Sequence, residues 1–127
     1  MFEIIVKTSN RVEAKNITDE LERVVRGKEG SILHLYTPHT TCGLLINEDA
    51  DPNVMKDILE ALERIVPGNY PYKHLEGNAH AHIKSSMIGC SIMVPFSEGK
   101  LRLGTWQGIF LMEFDGPRER KVIGTLV

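Results

Sequence analysis

A chain of 127 residues fits one compact domain with a buried core, so we expect a single domain spanning residues 1–127. Its 42% hydrophobic and 25% charged residues are ordinary for a globular protein and argue against disorder or a fibrous repeat. The formal net charge of −2 provides no excess of lysine and arginine to meet a phosphate backbone, so nucleic acid is not an expected partner.

The chain also lacks the signals of membrane insertion or secretion. No stretch is apolar for long enough to cross a bilayer, and the N-terminus has no basic start followed by an apolar run. Cys42 and Cys90 form no CxxC pair, which indicates reduced thiols and no disulfide. We therefore expect a cytoplasmic protein without a membrane partner.

The first half of the chain alternates strand and helix patterns. Residues 2–7 are rich in β-branched and aromatic side chains, which favours a strand. Residues 16–26 place apolar side chains at helical spacing before Gly27, which predicts a short amphipathic helix. Two further strands are predicted at 31–37 and 43–47.

Asp51 and Pro52 give the strongest local signal, an N-cap followed by proline at the first helical position. They predict a helix from residue 52 to about 66, which Pro67 ends. A polar loop follows, and then a second candidate helix over 79–88, on which Ala79, Ile83 and Met87 would share an apolar face.

The C-terminal third is interpreted as a meander of strands at 91–96, 101–103, 106–114 and 121–127. Both alternating sets of side chains along 106–114 are mostly apolar, so this strand should be covered on both faces. Gln107 and Glu113 lie on one of those faces, and each would then need a partner.

Histidines are the first candidates for chemistry. Four of the five, His39, His74, His80 and His82, fall in or beside loops, and neutral imidazole is a common ligand of divalent metals. Residues two apart point to nearly opposite sides of a helix, so only one of His80 and His82 can enter a site, and His82 is preferred because it lies beside Ser85. Alternatively, these histidines are hydrogen-bonded surface features.

A second group begins at residues 38–43, where Thr40 and Thr41 follow His39 between a proline and a glycine. Such a segment can present hydroxyls and backbone N–H groups to an anion, or it can be a simple turn. The acidic residues that follow, Glu48, Asp49 and Asp51, also suit the start of a helix. Cys42 is more typical of a buried, inert thiol than of a nucleophile.

Basic residues could contact a phosphate group. The candidates are Lys84, Arg102, Arg118, Arg120 and Lys121, although a run such as 118–121 is usually a solvated turn. The chain contains no P-loop, no dinucleotide-binding GxGxxG and no GxSxG elbow. A nucleotide-binding or serine-hydrolase site of those types is therefore not supported.

Four segments, 39–43, 47–52, 78–84 and 104–108, resemble in order the motifs of the YjbQ-like family, also called UPF0047. The resemblance implies an α+β fold with mixed or largely antiparallel sheets and two to three helices. It also implies a homotrimer and a pocket in which histidines approach the Trp106-Gln107 strand. Members of the family are described as having a weak thiamine-phosphate synthase activity, which joins a pyrimidine pyrophosphate to a thiazole phosphate.

The resemblance leads to a hypothesis of a metal-assisted enzyme acting on a small phosphorylated or heterocyclic metabolite. Zinc, magnesium or manganese would be the cofactor. Thr40, Thr41, Lys84 and Arg118 would bind substrate. Two alternatives remain open: a trimeric protein that binds a metabolite or metal without turnover, and histidines that only join loops at a subunit interface. The assigned roles are metal ligands His39, His74 and His82, and catalytic residues Glu48, Gln107 and Glu113.

Overall fold

A computed structural model describes residues 1–127 and contains three helices and eight strands. None of the helices is long and apolar enough to cross a membrane. In chain order the elements are β1 Phe2–Lys7, β2 Glu13–Asn16, α1 Thr18–Val25, β3 Ile32–Tyr36, β4 Cys42–Glu48, α2 Pro52–Ile65, α3 Ala79–Ile88, β5 Ser91–Ser97, β6 Lys100–Leu101, β7 Gln107–Glu113 and β8 Glu119–Leu126.

The strands form two antiparallel sheets. One has five strands in the order β1-β8-β3-β5-β6, and the other has three in the order β2-β7-β4. The two sheets, together with α1, enclose the larger apolar core, which includes Leu21, Leu35 and Leu111. The predicted α+β class with largely antiparallel sheets is confirmed.

A second apolar core lies on the other side of the three-stranded sheet. There Phe110, Met112 and Phe114 from the β7 segment meet Leu62 of α2 and Ala81 of α3. Residues 108–113 of β7 are all buried, so this strand is covered on both faces as its sequence predicts. The molecule is therefore layered as five-stranded sheet, three-stranded sheet and helices.

Local signals place the helices. The Asp51 side chain accepts a hydrogen bond from Asn53 N at 2.9 Å, and Pro52 occupies the first turn of α2. Asn16 Oδ1 accepts from both Thr18 N and Thr18 Oγ1 at the start of α1. The strand β2 was not predicted, because Glu13–Asn16 carries no apolar alternation.

The meander prediction is wrong in its pairing. The strands β7 and β8 follow each other along the chain but lie in different sheets, where β7 joins β2 to β4 and β8 joins β1 to β3. The physical reason is that β7 is apolar on both faces, and only the three-stranded sheet is covered on both sides by this chain.

The predicted apolar face of α3 is also wrong. Ile83 is 39% exposed and Met87 is 51% exposed, whereas His80, Ala81 and Lys84 are buried. The helix turns its small and polar residues inward for two reasons. Ala81 packs in the second core, and the buried Lys84 pairs with Glu63 and lies beside His80.

The outer face of the five-stranded sheet is covered by no other part of the chain. Ile5, Ile32, Tyr36 and Met93 from three of its strands are all exposed on it. The β3–β5 register places Ile32 opposite Pro95 and Met93 opposite His34. The β3–β5 half of this face is therefore a mainly apolar surface, whereas the β1–β8 half also carries the exposed Glu3–Lys121 ion pair.

Candidate functional site

A largely polar pocket of about 340 Å³ lies where the β3–β4 loop, the start of α3 and the β7–β8 turn meet. We call it the His39 pocket. It brings together five of the predicted site residues, namely His39, Thr40, Thr41, His82 and Arg118. Its full lining is Pro38, His39, Thr40, Thr41, Glu76, Asn78, His82, Asp115, Arg118 and Arg120.

His39 is held from one side by the backbone of β8. Its Nε2 accepts a hydrogen bond from Lys121 N at 3.0 Å, so the neutral ring carries its proton on Nδ1. Burial lowers the pKa of His39, and the nearby Arg120 lowers it further. The residue is therefore a neutral hydrogen-bond donor at neutral pH.

Asp115 organises the opposite wall. Its Oδ2 accepts from Asn78 Nδ2 at 2.9 Å and from Arg118 Nη2 at 3.1 Å, and its backbone oxygen accepts from Arg118 Nε at 2.8 Å. Burial would raise the pKa of Asp115, but these side-chain hydrogen bonds outweigh it and hold the pKa below its usual value. Arg118 is thereby oriented while remaining partly exposed.

Beneath the pocket lies a buried ion pair between Glu113 and Arg120. Glu113 Oε1 accepts from Arg120 Nε at 2.9 Å and from Thr8 Oγ1 at 2.7 Å. Arg120 Nη2 also donates to Thr41 Oγ1 at 2.8 Å, so the pair fixes the threonine of the His39 loop. Arg120 reaches the pocket wall, whereas Glu113 does not line it.

The catalytic role predicted for Glu113 does not fit this environment. The residue is fully buried, and its hydrogen bonds are all to groups within the chain. Burial alone would raise the pKa of Glu113, but the hydrogen bonds from Arg120 and Thr8 hold the pKa below its usual value. A carboxylate of lowered pKa whose two oxygens are both hydrogen-bonded orients its neighbours and is poorly suited to exchange protons with a substrate at neutral pH.

The two histidines of α3 point in different directions, as helical geometry predicts. His82 lines the His39 pocket, and its ring meets that of His74 edge-on with centroids 5.2 Å apart. His80 is buried elsewhere, beside Lys84. Of the two, it is therefore His82 that a ligand in this pocket would meet.

A metal site does not form within one chain. No group of three or more His, Cys, Asp or Glu side chains is placed to hold a metal ion. His39 has no free lone pair, because Lys121 N occupies Nε2 and Nδ1 carries the proton. The ligand set of His39, His74 and His82 stays a prediction that requires His39 to release the Lys121 amide.

Lys84, predicted to contact substrate, lies outside the His39 pocket. It is 1% exposed, forms an ion pair with Glu63 at 2.5 Å and lies 3.3 Å from His80 Nδ1. Its position three residues after Ala81 on α3 turns it toward α2 rather than toward His39. Lys84 therefore does not line the His39 pocket, and a contact between Lys84 and substrate stays a prediction.

Glu48 and Gln107 lie at the far end of the β4–β7 pair. They oppose each other in register, while Cys42 and Glu113 oppose each other at the end near the pocket. A seven-residue strand separates the two ends by about 20 Å. One chain therefore does not bring Glu48 or Gln107 to His39, and Gln107 Oε1 instead accepts from Gly104 N at 2.8 Å.

Cys42 lies in the core below the pocket. Burial raises the pKa of its thiol, and Thr37 Oγ1 is 3.6 Å from its sulfur. A buried thiol of raised pKa is inert, as the sequence suggested. Both cysteines are free.

Asp115 and Asn78 were not identified as site residues from the sequence, and Arg120 was grouped with the run 118–121, which was interpreted as a solvated turn. A period-two signal was present for Arg120, because it shares the inward face of β8 with Val122 and Gly124. No comparable signal marks Asn78 or Asp115, since turn and cap residues of these types are usually explained locally.

The whole chain matches a known family. Residues 2–127 match the family model described as "UPF0047 protein YjbQ-like". The chain belongs to the YjbQ-like family. A UPF0047 protein of Archaeoglobus fulgidus is 50% identical over 124 residues, covering 96% of this chain and 97% of that protein. A UPF0047 protein of Methanocaldococcus jannaschii is 47% identical over 131 residues, covering 98% of this chain and 94% of that protein.

Solved structures of YjbQ-like proteins share the fold. An uncharacterized conserved protein of Clostridium acetobutylicum superposes with a TM-score of 0.95 at 46% identity, with complete coverage of both chains. A conserved hypothetical protein from Thermus thermophilus also gives a TM-score of 0.95, at 42% identity and complete coverage. The resemblance seen in the sequence motifs is confirmed.

Proposed function

We propose that this YjbQ-like protein binds a small phosphorylated metabolite in the His39 pocket and that any chemistry occurs there. The observation that carries the proposal is the lining, which has no hydrophobic residue and combines donors with acceptors. The Nδ1–H of His39, the hydroxyl of Thr40 and the Arg118 guanidinium suit a phosphate. The Asp115 and Glu76 carboxylates suit N–H groups of a heterocycle.

The activity we propose to test first is that of a thiamine-phosphate synthase-like transferase, which the family resemblance implies. Joining a pyrimidine pyrophosphate to a thiazole phosphate releases pyrophosphate, whose charge must be stabilised as it departs. Arg118, oriented by Asp115, would supply that stabilisation, and the neutral His39 would add an N–H donor. Within one chain, Glu48 and Gln107 would not contact this substrate, because they lie at the far end of the β4–β7 pair.

Binding without turnover is the second candidate function, and one observation favours it. Of the three predicted catalytic residues, Glu113 is buried in an ion pair with Arg120. Glu48 and Gln107 lie at the end of β4 and β7 that is far from the pocket. Within one chain, therefore, neither Glu48 nor Glu113 is placed to act as an acid or base on a ligand beside His39.

Replacing Arg118 with glutamine is expected to weaken pyrophosphate binding by about tenfold or more, because a charged hydrogen-bond donor is lost. Calorimetry with pyrophosphate measures the binding, and thiamine phosphate formation from the two substrates measures turnover. Arg102→Gln is the matched control, since Arg102 is also exposed and paired with a nearby acid. Equal binding by wild type and Arg118→Gln would contradict the proposed site, and binding with no product would favour the non-catalytic function.

We also propose that the protein is a homotrimer in the cytoplasm, and that the outer face of the five-stranded sheet lies in the subunit contact. The support is the exposed apolar surface that includes Ile32 and Met93, together with the family resemblance. The double variant Ile32→Lys/Met93→Lys is expected to dissociate the assembly, as measured by light scattering. Ile65→Lys, an exposed change on α2, is the control. A monomeric wild type, or a double variant that stays trimeric, would reject this interface.

A further inference from the structure

A second cleft, of about 710 Å³, lies between α2, the α2–α3 loop that contains residues 68 and 77, the start of α3 and the turn that carries Arg11. It shares no lining residue with the His39 pocket. We call it the Arg11 cleft. It is lined by Arg11, Val12, Leu59, Glu60, Glu63, Gly68, Gly77 and His80.

The base of this cleft holds a hydrogen-bonded chain that runs from the exposed Glu63 to the buried Lys84 and His80. Lys84 Nζ forms an ion pair with Glu63 Oε2 at 2.5 Å, so it is an ammonium group with donors only. The same Nζ lies 3.3 Å from His80 Nδ1. Since an ammonium cannot accept a hydrogen bond, Nδ1 of His80 must be the acceptor.

This contact fixes the other end of the His80 ring. A neutral histidine has one donor nitrogen and one acceptor nitrogen, so acceptance at Nδ1 places the proton on Nε2. Nε2 lies 3.4 Å from Arg11 Nη2, and a guanidinium also has donors only. Two donors therefore face each other at the edge of the cleft, and neither has a hydrogen-bond acceptor elsewhere in the chain.

The charges around the cleft leave Arg11 available. Glu63 is paired with Lys84, and Glu60 is paired with Arg64 at 3.0 Å. Arg11 takes part in none of the ion pairs of the chain. A Cβ at residue 68 would lie 3.4 Å from His80 Nε2, so Gly68 keeps the approach to that nitrogen open.

We propose that the Arg11 cleft binds a small oxyanion, a phosphate or carboxylate group that accepts hydrogen bonds from both Arg11 and His80 Nε2–H. An oxyanion supplies the acceptor that the two opposed donors lack, and it neutralises the one arginine of the cleft that has no acidic partner. His80 is 5% exposed and Lys84 is 1% exposed, so the donor at the base is rigidly placed. This site is independent of the function proposed for the His39 pocket.

The test combines the tautomer of His80 with anion titration of the intact protein. Long-range ¹H–¹⁵N spectra report which ring nitrogen carries the proton, with His80→Gln used to assign the signal. Inorganic phosphate and sodium acetate are then titrated separately while the amides of Gly68 and Gly77 are followed. Arg11→Gln is compared with Arg118→Gln, which removes an arginine from the His39 pocket instead.

We expect the Nε2–H tautomer and saturable shifts at Gly68 and Gly77. These shifts should weaken about tenfold or more in Arg11→Gln and persist in Arg118→Gln. Whichever of phosphate and acetate binds more tightly identifies the class of oxyanion. An Nδ1–H tautomer, in which Nε2 accepts from Arg11, would overturn the proposal. So would an absence of saturable shifts, or shifts that Arg118→Gln abolishes and Arg11→Gln preserves.

Discussion

Replacing Arg120 with methionine is expected to lower the free energy of unfolding by about 3–5 kcal/mol at pH 7, because the change leaves Glu113 as a buried charge without its partner. Glu113 is fully buried and Arg120 is 3% exposed, so water cannot replace the lost hydrogen bonds. Methionine keeps most of the side-chain volume, which limits the contribution of a cavity. Urea unfolding at one fixed protomer concentration measures the loss.

The same pair predicts how the loss depends on pH. In the wild type the pKa of Glu113 is held below its unfolded value, so its stabilisation is complete above about pH 4.3 and disappears as pH falls through the folded pKa. Without Arg120, burial should raise the pKa of Glu113 above the unfolded value. Protonation then relieves the buried charge, so the difference between variant and wild type should shrink between pH 7 and pH 4.5.

Two variants separate this effect from a general loss of packing. Arg102→Met removes an exposed arginine and should change stability by less than about 0.5 kcal/mol. The double variant Glu113→Gln/Arg120→Met removes both charges and should recover part of the loss, since no ionised group remains buried. A single variant as stable as the wild type, or a loss that grows on acidification, would show that the pair does not act as described.

Most of the fold could be predicted because its signals are local. The α2 helix begins at Asp51-Pro52 and β1 at Phe2, where capping and side-chain alternation specify the element without reference to the rest of the chain. The pairing of the strands could not be predicted in this way. For example, β1 pairs with β8 at the other end of the sequence, and nothing local to either strand specifies that partner.

The same distinction between local and tertiary signals applies to the residues of the candidate site. His82 was separable from His80 because helical geometry is a local rule, and His39 with Thr40 belongs to one short loop. Arg118 and Asp115 reach the pocket from a turn some 75 residues after His39, so no local signal could place them beside it. The burial of Lys84 could not be predicted either, because its partner Glu63 lies on another helix. Burial of a charged side chain depends on such tertiary partners.

The core and the site are connected at Phe114. This residue follows β7, and its side chain is fully buried in the second core with Leu62 of α2 and Ala81 of α3. Its backbone N donates to Thr41 O at 3.2 Å, which ties the end of β7 to the His39 loop. Ala81 directly precedes His82, so packing around Phe114 also supports the helix that carries this histidine.

Phe114→Ala is therefore expected to lower the free energy of unfolding by about 3–5 kcal/mol, since it removes a buried aromatic ring and leaves a cavity. Leu75→Ala, which truncates a side chain that is 95% exposed, should change stability by less than about 0.5 kcal/mol. Urea unfolding compares the two variants with wild type at equal protomer concentration.

The functional consequence of Phe114→Ala should be weaker than its effect on stability. Under conditions where the variant is still folded, the backbone bond to Thr41 remains, and only the support beneath α3 is reduced. Pyrophosphate binding at the His39 pocket should therefore fall less in Phe114→Ala than in Arg118→Gln, although Arg118→Gln should be the more stable protein. The opposite order in binding would mean that the position of α3, rather than the Arg118 guanidinium, determines affinity.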